Sequence, residues 1–296
     1  MRSSVLTAYV EAARELDLEP YRLLRKAGVP DGALEHGDMK VSARRVADLL
    51  DASAEQSGRE DIGLRVGGAF RLSMKGPLGL LLREQATVGK ALDALAHYIR
   101  SQNTTVELIV TDRDGGKSLE IGLLSDAFRT SVQSVDMTLA MYVQTLRGLL
   151  GDNWMPASVR MVRPPPADLS AFHDQLGAVT FGQSVNAIDL SARDIAASIP
   201  GADADMAREL ARYIERGVSH AGRSTTERVS ELIVRLLPTG HCTIDELAGH
   251  LGVDRRTIHR RLAGEGRLVE PRSWINRATD EVAAWLGLPV ASKRRH

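Results

Sequence analysis

The stretch from Thr243 to Leu262, Thr-Ile-Asp-Glu-Leu-Ala-Gly-His-Leu-Gly-Val-Asp-Arg-Arg-Thr-Ile-His-Arg-Arg-Leu, constrains this chain more than any other segment. Its small and apolar residues recur where two short helices meeting at an angle need them. Ala248 supplies the small residue at the contact. Gly252, four positions on, tolerates the positive φ of a tight turn. Ile258 faces back into the angle, and Leu247, Leu251, Val253 and Leu262 complete a small core. Thr243 with Glu246 three positions later forms the pattern of a capping box. Asp254 is placed to cap the second helix, where its negative charge suits the helix dipole. The spacing predicts a helix-turn-helix.

With those positions turned inward, Arg255, Arg256, His259, Arg260 and Arg261 fall on or near the outer face of the second helix. Arginine presents two donors in a fixed fork that matches guanine O6 and N7 in the major groove, whereas phosphate contacts add affinity without sequence information. The bland alternative is a helical hairpin with a solvated arginine face. Charge distribution favours the first reading. The chain is neutral overall, with 38 basic and 38 acidic residues. Residues 201–296 nevertheless hold 16 Lys and Arg against 13 Asp and Glu, and Asp254 to Arg267 contains five arginines and two acids. Such local concentration is what phosphate attraction requires.

Hydrophobic residues at 43% and charged residues at 26% are ordinary for a globular protein, and aromatics at 4% leave the core to aliphatic side chains. No apolar run reaches the ~18 residues of a membrane span, and Glu11 and Glu15 interrupt any signal-peptide pattern. The single cysteine, Cys242, excludes an intramolecular disulfide. A cytoplasmic protein without membrane association is expected.

The first ~100 residues read as helical. Val5, Leu6, Tyr9, Val10 and Ala13 recur at helical spacing behind Ser3 or Ser4 as cap. Pro20 to Lys26 is a short helix stopped by Gly28, Ser42 opens another with Val46, Leu49 and Leu50 inward, and Thr87 caps a third. The period then changes. Thr105 to Thr111 and Lys117 to Leu123 are strand-like around a turn at Asp112-Arg-Asp-Gly-Gly. A long helix is expected from Arg129 to Leu150, closed by Gly151. Further strands are expected at 158–162 and 185–190, with a short helix at 169–176 between them. This order predicts an α+β domain with a small sheet over residues 1–200. A connecting helix from Met206 to Val218 and a linker from Ser219 place the boundary in 201–224, and residues 225–296 read as an all-α helix-turn-helix domain.

An enzyme is the rival class. The histidines show no metal-site spacing, and the P-loop, G-x-G-x-x-G and G-x-S-x-G patterns are missing, so no cofactor or metal is expected. His173 beside Asp174 reads as surface, Met137 and Met141 as core, Arg44-Arg45 as a solvated helix face, and Cys242 as packed rather than redox-active.

The stretch Arg235-Leu-Leu-Pro-Thr-Gly-His-Cys followed by Thr243 to Gly266 resembles the start of the DNA-binding domain of the AraC family of bacterial regulators. The resemblance extends upstream to the subgroup with an arabinose-binding-type sensing domain. It rests there on Phe70, Gly76-Pro-Leu-Gly-Leu-Leu-Leu, Thr87-Val-Gly-Lys-Ala-Leu, Tyr98 and Val179-Thr-Phe-Gly-Gln-Ser-Val-Asn-Ala-Ile-Asp-Leu. It implies that residues 1–200 sense an unidentified small-molecule effector, held in an apolar cavity between long helix and sheet. It also implies that Arg256, His259 and Arg260 take the base-contacting positions. The partners expected are promoter DNA, the effector and, as an open option, a second copy of the chain. The subgroup's name does not make arabinose the ligand.

The family carries two helix-turn-helix units, and here the second is incomplete. Asp280-Glu-Val-Ala-Ala-Trp-Leu-Gly echoes Asp245-Glu-Leu-Ala-Gly-His-Leu-Gly 35 residues downstream, but nine residues follow Gly287 and include Pro289. Either this is a degenerate second unit or an unrelated terminus. The alternative function is therefore a regulator impaired in DNA binding that acts as a protein–protein adaptor or dominant-negative partner.

Overall fold

The computed structural model describes residues 1–221 apart from 36, 38, 104 and 114, and then 229, 232–233, 243–251 and 254–264. The chain divides into two units, Met1–Ile214 and Glu215–His296. The expected repeat at 280–287, the Lys293-Arg-Arg-His tail and Cys242 lie outside the described residues.

The first unit begins with helices α1 (Val5–Glu15), α2 (Pro20–Lys26), α3 (Ala43–Ser57), α4 (Ile62–Gly68), α5 (Pro77–Arg83) and α6 (Val88–Gln102). Strands β1 (Val106–Arg113) and β2 (Gly116–Leu123) follow, then α7 (Asp126–Thr130) and α8 (Val132–Leu150). The remainder is β3 (Ser158–Arg160), α9 (Ser170–Leu176), β4 (Val179–Thr180), β5 (Ala187–Ser191), α10 (Ala192–Ala196) and the part of α11 (Ala204–Ala221) up to Ile214. The result is an α+β unit with a small mixed sheet, ordered β1-β2-β5-β3-β4, in which β3 and β4 are parallel.

Local chemistry explains much of this. Thr87 Oγ1 accepts from the Lys90 N–H (3.3 Å) and starts α6, whose Val88, Ala91, Leu92, Leu95 and Ile99 are all buried. The hairpin closes with Arg113 opposite Gly116, and Gly115 takes φ +80°, a conformation open to glycine at no steric cost. Along β1, Val106 and Leu108 are buried while Ile109 faces out, the period-2 alternation of a half-covered strand. The apolar faces of α1 to α4 share one core with Phe128 and Met137.

The structure departs from the sequence reading at several points. Ser4 occupies the N-cap of α1 without capping it, because its hydroxyl donates to the Met74 carbonyl (2.9 Å) instead. Ser42 likewise makes no side-chain cap bond. The long helix is not continuous from Arg129: it breaks at Ser131, which turns extended (φ −86°, ψ 114°). There the Ser131 hydroxyl donates to Asp51 (2.7 Å) and accepts from the Ser134 N–H (3.1 Å), so a contact 80 residues away outcompetes helix continuation. β4 has no counterpart in the sequence pattern, since two residues cannot show a period. α11 runs on through Ala221, into the stretch expected to be linker.

α8 is buried on nearly every side, and its polar side chains go under with the apolar ones, with Thr138 and Thr145 bonding back to carbonyls four residues earlier. α4 lies directly on it. A methyl group on Gly63 would stand 1.9 Å from the Gln133 carbonyl oxygen, and one on Gly67 would stand 2.4 Å from that of Met137 and 2.6 Å from Ala140 Cβ. Gln133 completes the join: its Oε1 accepts from the Gly63 N–H (2.7 Å) and its Nε2 donates to the Glu60 carbonyl (3.0 Å). Met137 and Met141 are both buried here. Nearby, Lys75 is buried between the rings of Phe70 (5.2 Å) and Tyr142 (4.6 Å), and desolvation lowers its ammonium to about 7.

Gly67→Ala should therefore destabilise the protein by about 3 kcal/mol, the upper part of the usual overpacking range, in urea unfolding. Gly122→Ala, whose methyl would meet nothing closer than 3.7 Å, should change little. Equal midpoints for the two variants would refute the close helix contact.

Candidate functional site

In the second unit, two described helices span Ile244–Leu251 and Arg255–Gly264. Thr243 Oγ1 accepts from the Glu246 N–H (3.2 Å) at the start of the first. At the start of the second, Asp254 accepts from the Thr257 N–H (2.7 Å) and hydroxyl (2.9 Å). Those bonds, the backbone one foremost, hold its carboxyl below the usual range. Leu247, Ala248 and Ile258 are buried, with Leu262 and Ile244 packed against them. Arg255, Arg256 and Arg260 are exposed. His259 and Arg261 lie on the same helix, but their side chains, like Gly252 and Val253, fall outside the described residues. The sequence reading missed Val229 and Ile233, which are buried in this same cluster, with Leu232 against it. Their i, i+3, i+4 spacing was the available signal.

In the first unit, a cavity of about 630 Å³ opens between β1, β2, the start of α8 and the segments 162–164 and 184–186. Its wall is branched and aliphatic: Ile109, Ile121, Leu123, Val132, Val135 and Val162. Arg163 also lines it. Its Nη1 donates to Asp136 Oδ2 and its Nε to the Pro164 carbonyl (3.0 Å), and its guanidinium lies over the Phe172 ring (5.4 Å). Asp136, on α8, is fully buried, and its other oxygen has no hydrogen-bond partner. Burial pushes this carboxyl up to about 7, against the pull of Arg163. No local pattern marks the pair, whose members are 27 residues apart. His173 and Asp174 are exposed, as are Arg44 and Arg45.

Among the described residues no His, Cys, Asp and Glu group could hold a metal, and no helix is long and apolar enough to cross a membrane. Residues 18–199 match the family model described as the arabinose-binding domain of AraC transcription regulators, N-terminal. The match defines a regulator of transcription rather than an enzyme. The chain belongs to the AraC family of transcription regulators, for which DNA binding is the shared activity. It is 28% identical over 270 residues to the HTH-type transcriptional regulator VirS of Mycobacterium tuberculosis, strains CDC 1551 / Oshkosh and ATCC 25618 / H37Rv. That alignment covers 90% of this chain and 79% of VirS. The crystal structure of transcriptional regulator CdpR from Pseudomonas aeruginosa superposes with a TM-score of 0.49 at 21% identity, over 92% of this chain and 91% of that one.

A buried carboxyl with a raised folded pKa takes up protons on folding between its unfolded value near 3.8 and about 7. Its stabilising contribution is thus present below that window and lost as pH rises through it. The stability of the protein relative to Asp136→Asn should fall from about pH 5 to about pH 7 and then level off, as read by urea midpoints. A difference that grows with pH would contradict the buried, proton-holding state.

Proposed function

We propose that the second unit reads DNA through a helix-turn-helix made of Ile244–Leu251 and Arg255–Gly264. The observation that carries this is one helix with two opposed faces. Ile258 is buried against Leu247 and Ala248, while Arg255, Arg256 and Arg260 are exposed. Set in a major groove, Arg256 and Arg260, with His259 between them, reach base edges, and Arg255 and Arg261 meet the phosphates. The N-terminal unit takes a small-molecule effector in the cavity beside α8. Effector binding shifts the population of DNA-competent arrangements rather than creating a new one. A cytoplasmic location and a homodimer suit this role.

Footprinting upstream of the neighbouring genes, followed by mobility shift on the protected fragment, tests the reading. Arg256→Ala/Arg260→Ala should weaken specific binding on the order of 100-fold or more, since each bidentate base contact is worth about 1–3 kcal/mol. Unlabelled nonspecific competitor should displace the variant more readily than the parent. Equal protection by both proteins would remove the recognition-helix assignment. Absence of a shift for the parent would favour the protein–protein adaptor.

A further inference from the structure

The cavity beside α8 has a definite chemistry. Its wall consists of branched aliphatic side chains, with no aromatic ring among the lining residues on which a flat ligand could stack. Its size falls within the roughly 300–1,000 Å³ of small-molecule sites. Two of its lining residues, Arg163 and Asn186, present donors that the protein leaves open. Arg163 is fixed by Asp136, the Pro164 carbonyl and the Phe172 ring, and its side chain is only 8% exposed. All its hydrogen bonds among the described residues run through Nε and Nη1, which leaves the Nη2 edge open. Asn186 accepts from the Val162 N–H (2.9 Å) through Oδ1, which leaves its Nδ2 hydrogens open. Of the other charged groups of the lining, Arg129 donates to Asp126 through Nη2, and Glu120 accepts from the Thr111 hydroxyl through one of its two oxygens (3.4 Å).

A pre-positioned guanidinium beside an amide donor, over an aliphatic wall, selects a ligand with an anionic acceptor at one end and a saturated chain behind it. We propose that the effector of this chain is an aliphatic monocarboxylate, its carboxylate on Arg163 Nη2 and Asn186 Nδ2 and its chain along Ile109, Val132, Val135 and Val162. This rests on the reading of the first unit as an effector-binding unit, and specifies the ligand class. Because Arg163 also holds Asp136 on α8, a carboxylate at Nη2 competes with that ion pair. Occupancy of the cavity is thereby linked to the central helix.

Sodium decanoate, decanol and decylamine, each below its micellar concentration, are titrated calorimetrically into the full chain. Decanoate should bind saturably, one per chain, at least tenfold tighter than the other two. Arg163→Gln/Asp136→Asn, which removes the charge pair without leaving a lone buried charge, should abolish the preference over decanol. Val132→Trp, at a partly exposed position in the first turn of α8, should fill the cavity and weaken decanoate at least tenfold. Decanol or decylamine binding as tightly as decanoate overturns the carboxylate head. Decanoate binding untouched by Val132→Trp overturns the location, and failure of all three probes overturns the aliphatic class. The underlying effector reading is tested separately, by transcription from the footprinted operator. A changed output with Val132→Trp sustains it even where decanoate fails, and an unchanged output removes it.

Discussion

The contact between α4 and α8 sets the geometry of the N-terminal unit. Two glycines four residues apart let one backbone lie on the other, closer than any side chain would permit, and Gln133 bonds across the seam. Close-packed interiors do not deform gradually around such a join. Once α4 fixes the height and rotation of α8, Val132 and Val135 necessarily stand at the edge of the sheet, and Asp136 necessarily points into the protein, where Arg163 meets it. The cavity follows from that placement.

Burying charge beside the cavity has a cost that the fold accepts. Two charges taken out of water recover their solvation only in part from mutual attraction, and a well-packed apolar pair is commonly as stable or more so. Here the Asp136 carboxyl even retains one oxygen without a partner, and burial raises its pKa to about 7, so that it sheds its charge below that pH. Arg163 is held at three points, which makes it a rigid donor rather than a mobile surface cation. An arginine held in this way recognises an anion without first losing side-chain freedom. Lys75, enclosed by two rings in the same unit, shows that this core keeps a second ionisable group under desolvation.

The basic helix was legible for a different reason. Its signals all act within one turn or one hairpin: Thr243 on the Glu246 N–H, Asp254 on the Thr257 N–H, and Ile258 against Ala248 ten residues earlier. Val229 and Ile233 add to this small core from upstream, beyond the spacing that the paired helices encode between themselves.

The sequence by itself determined the helix starts at Val88, Ile244 and Arg255, the hairpin between β1 and β2, the α+β order and the concentration of arginines after Asp254. These depend on interactions within about four residues along the chain, which a pattern of side chains encodes directly. Only the tertiary structure decided the break at Ser131, the parallel pairing of β3 with β4, the use of Gly63 and Gly67 as a helix seam, and the union of Arg163 with Asp136. Each depends on a partner many residues distant, such as Asp51 for Ser131 or Gln133 for Gly63. Local periodicity carries no record of such partners, since they exist as neighbours only after the intervening chain has folded.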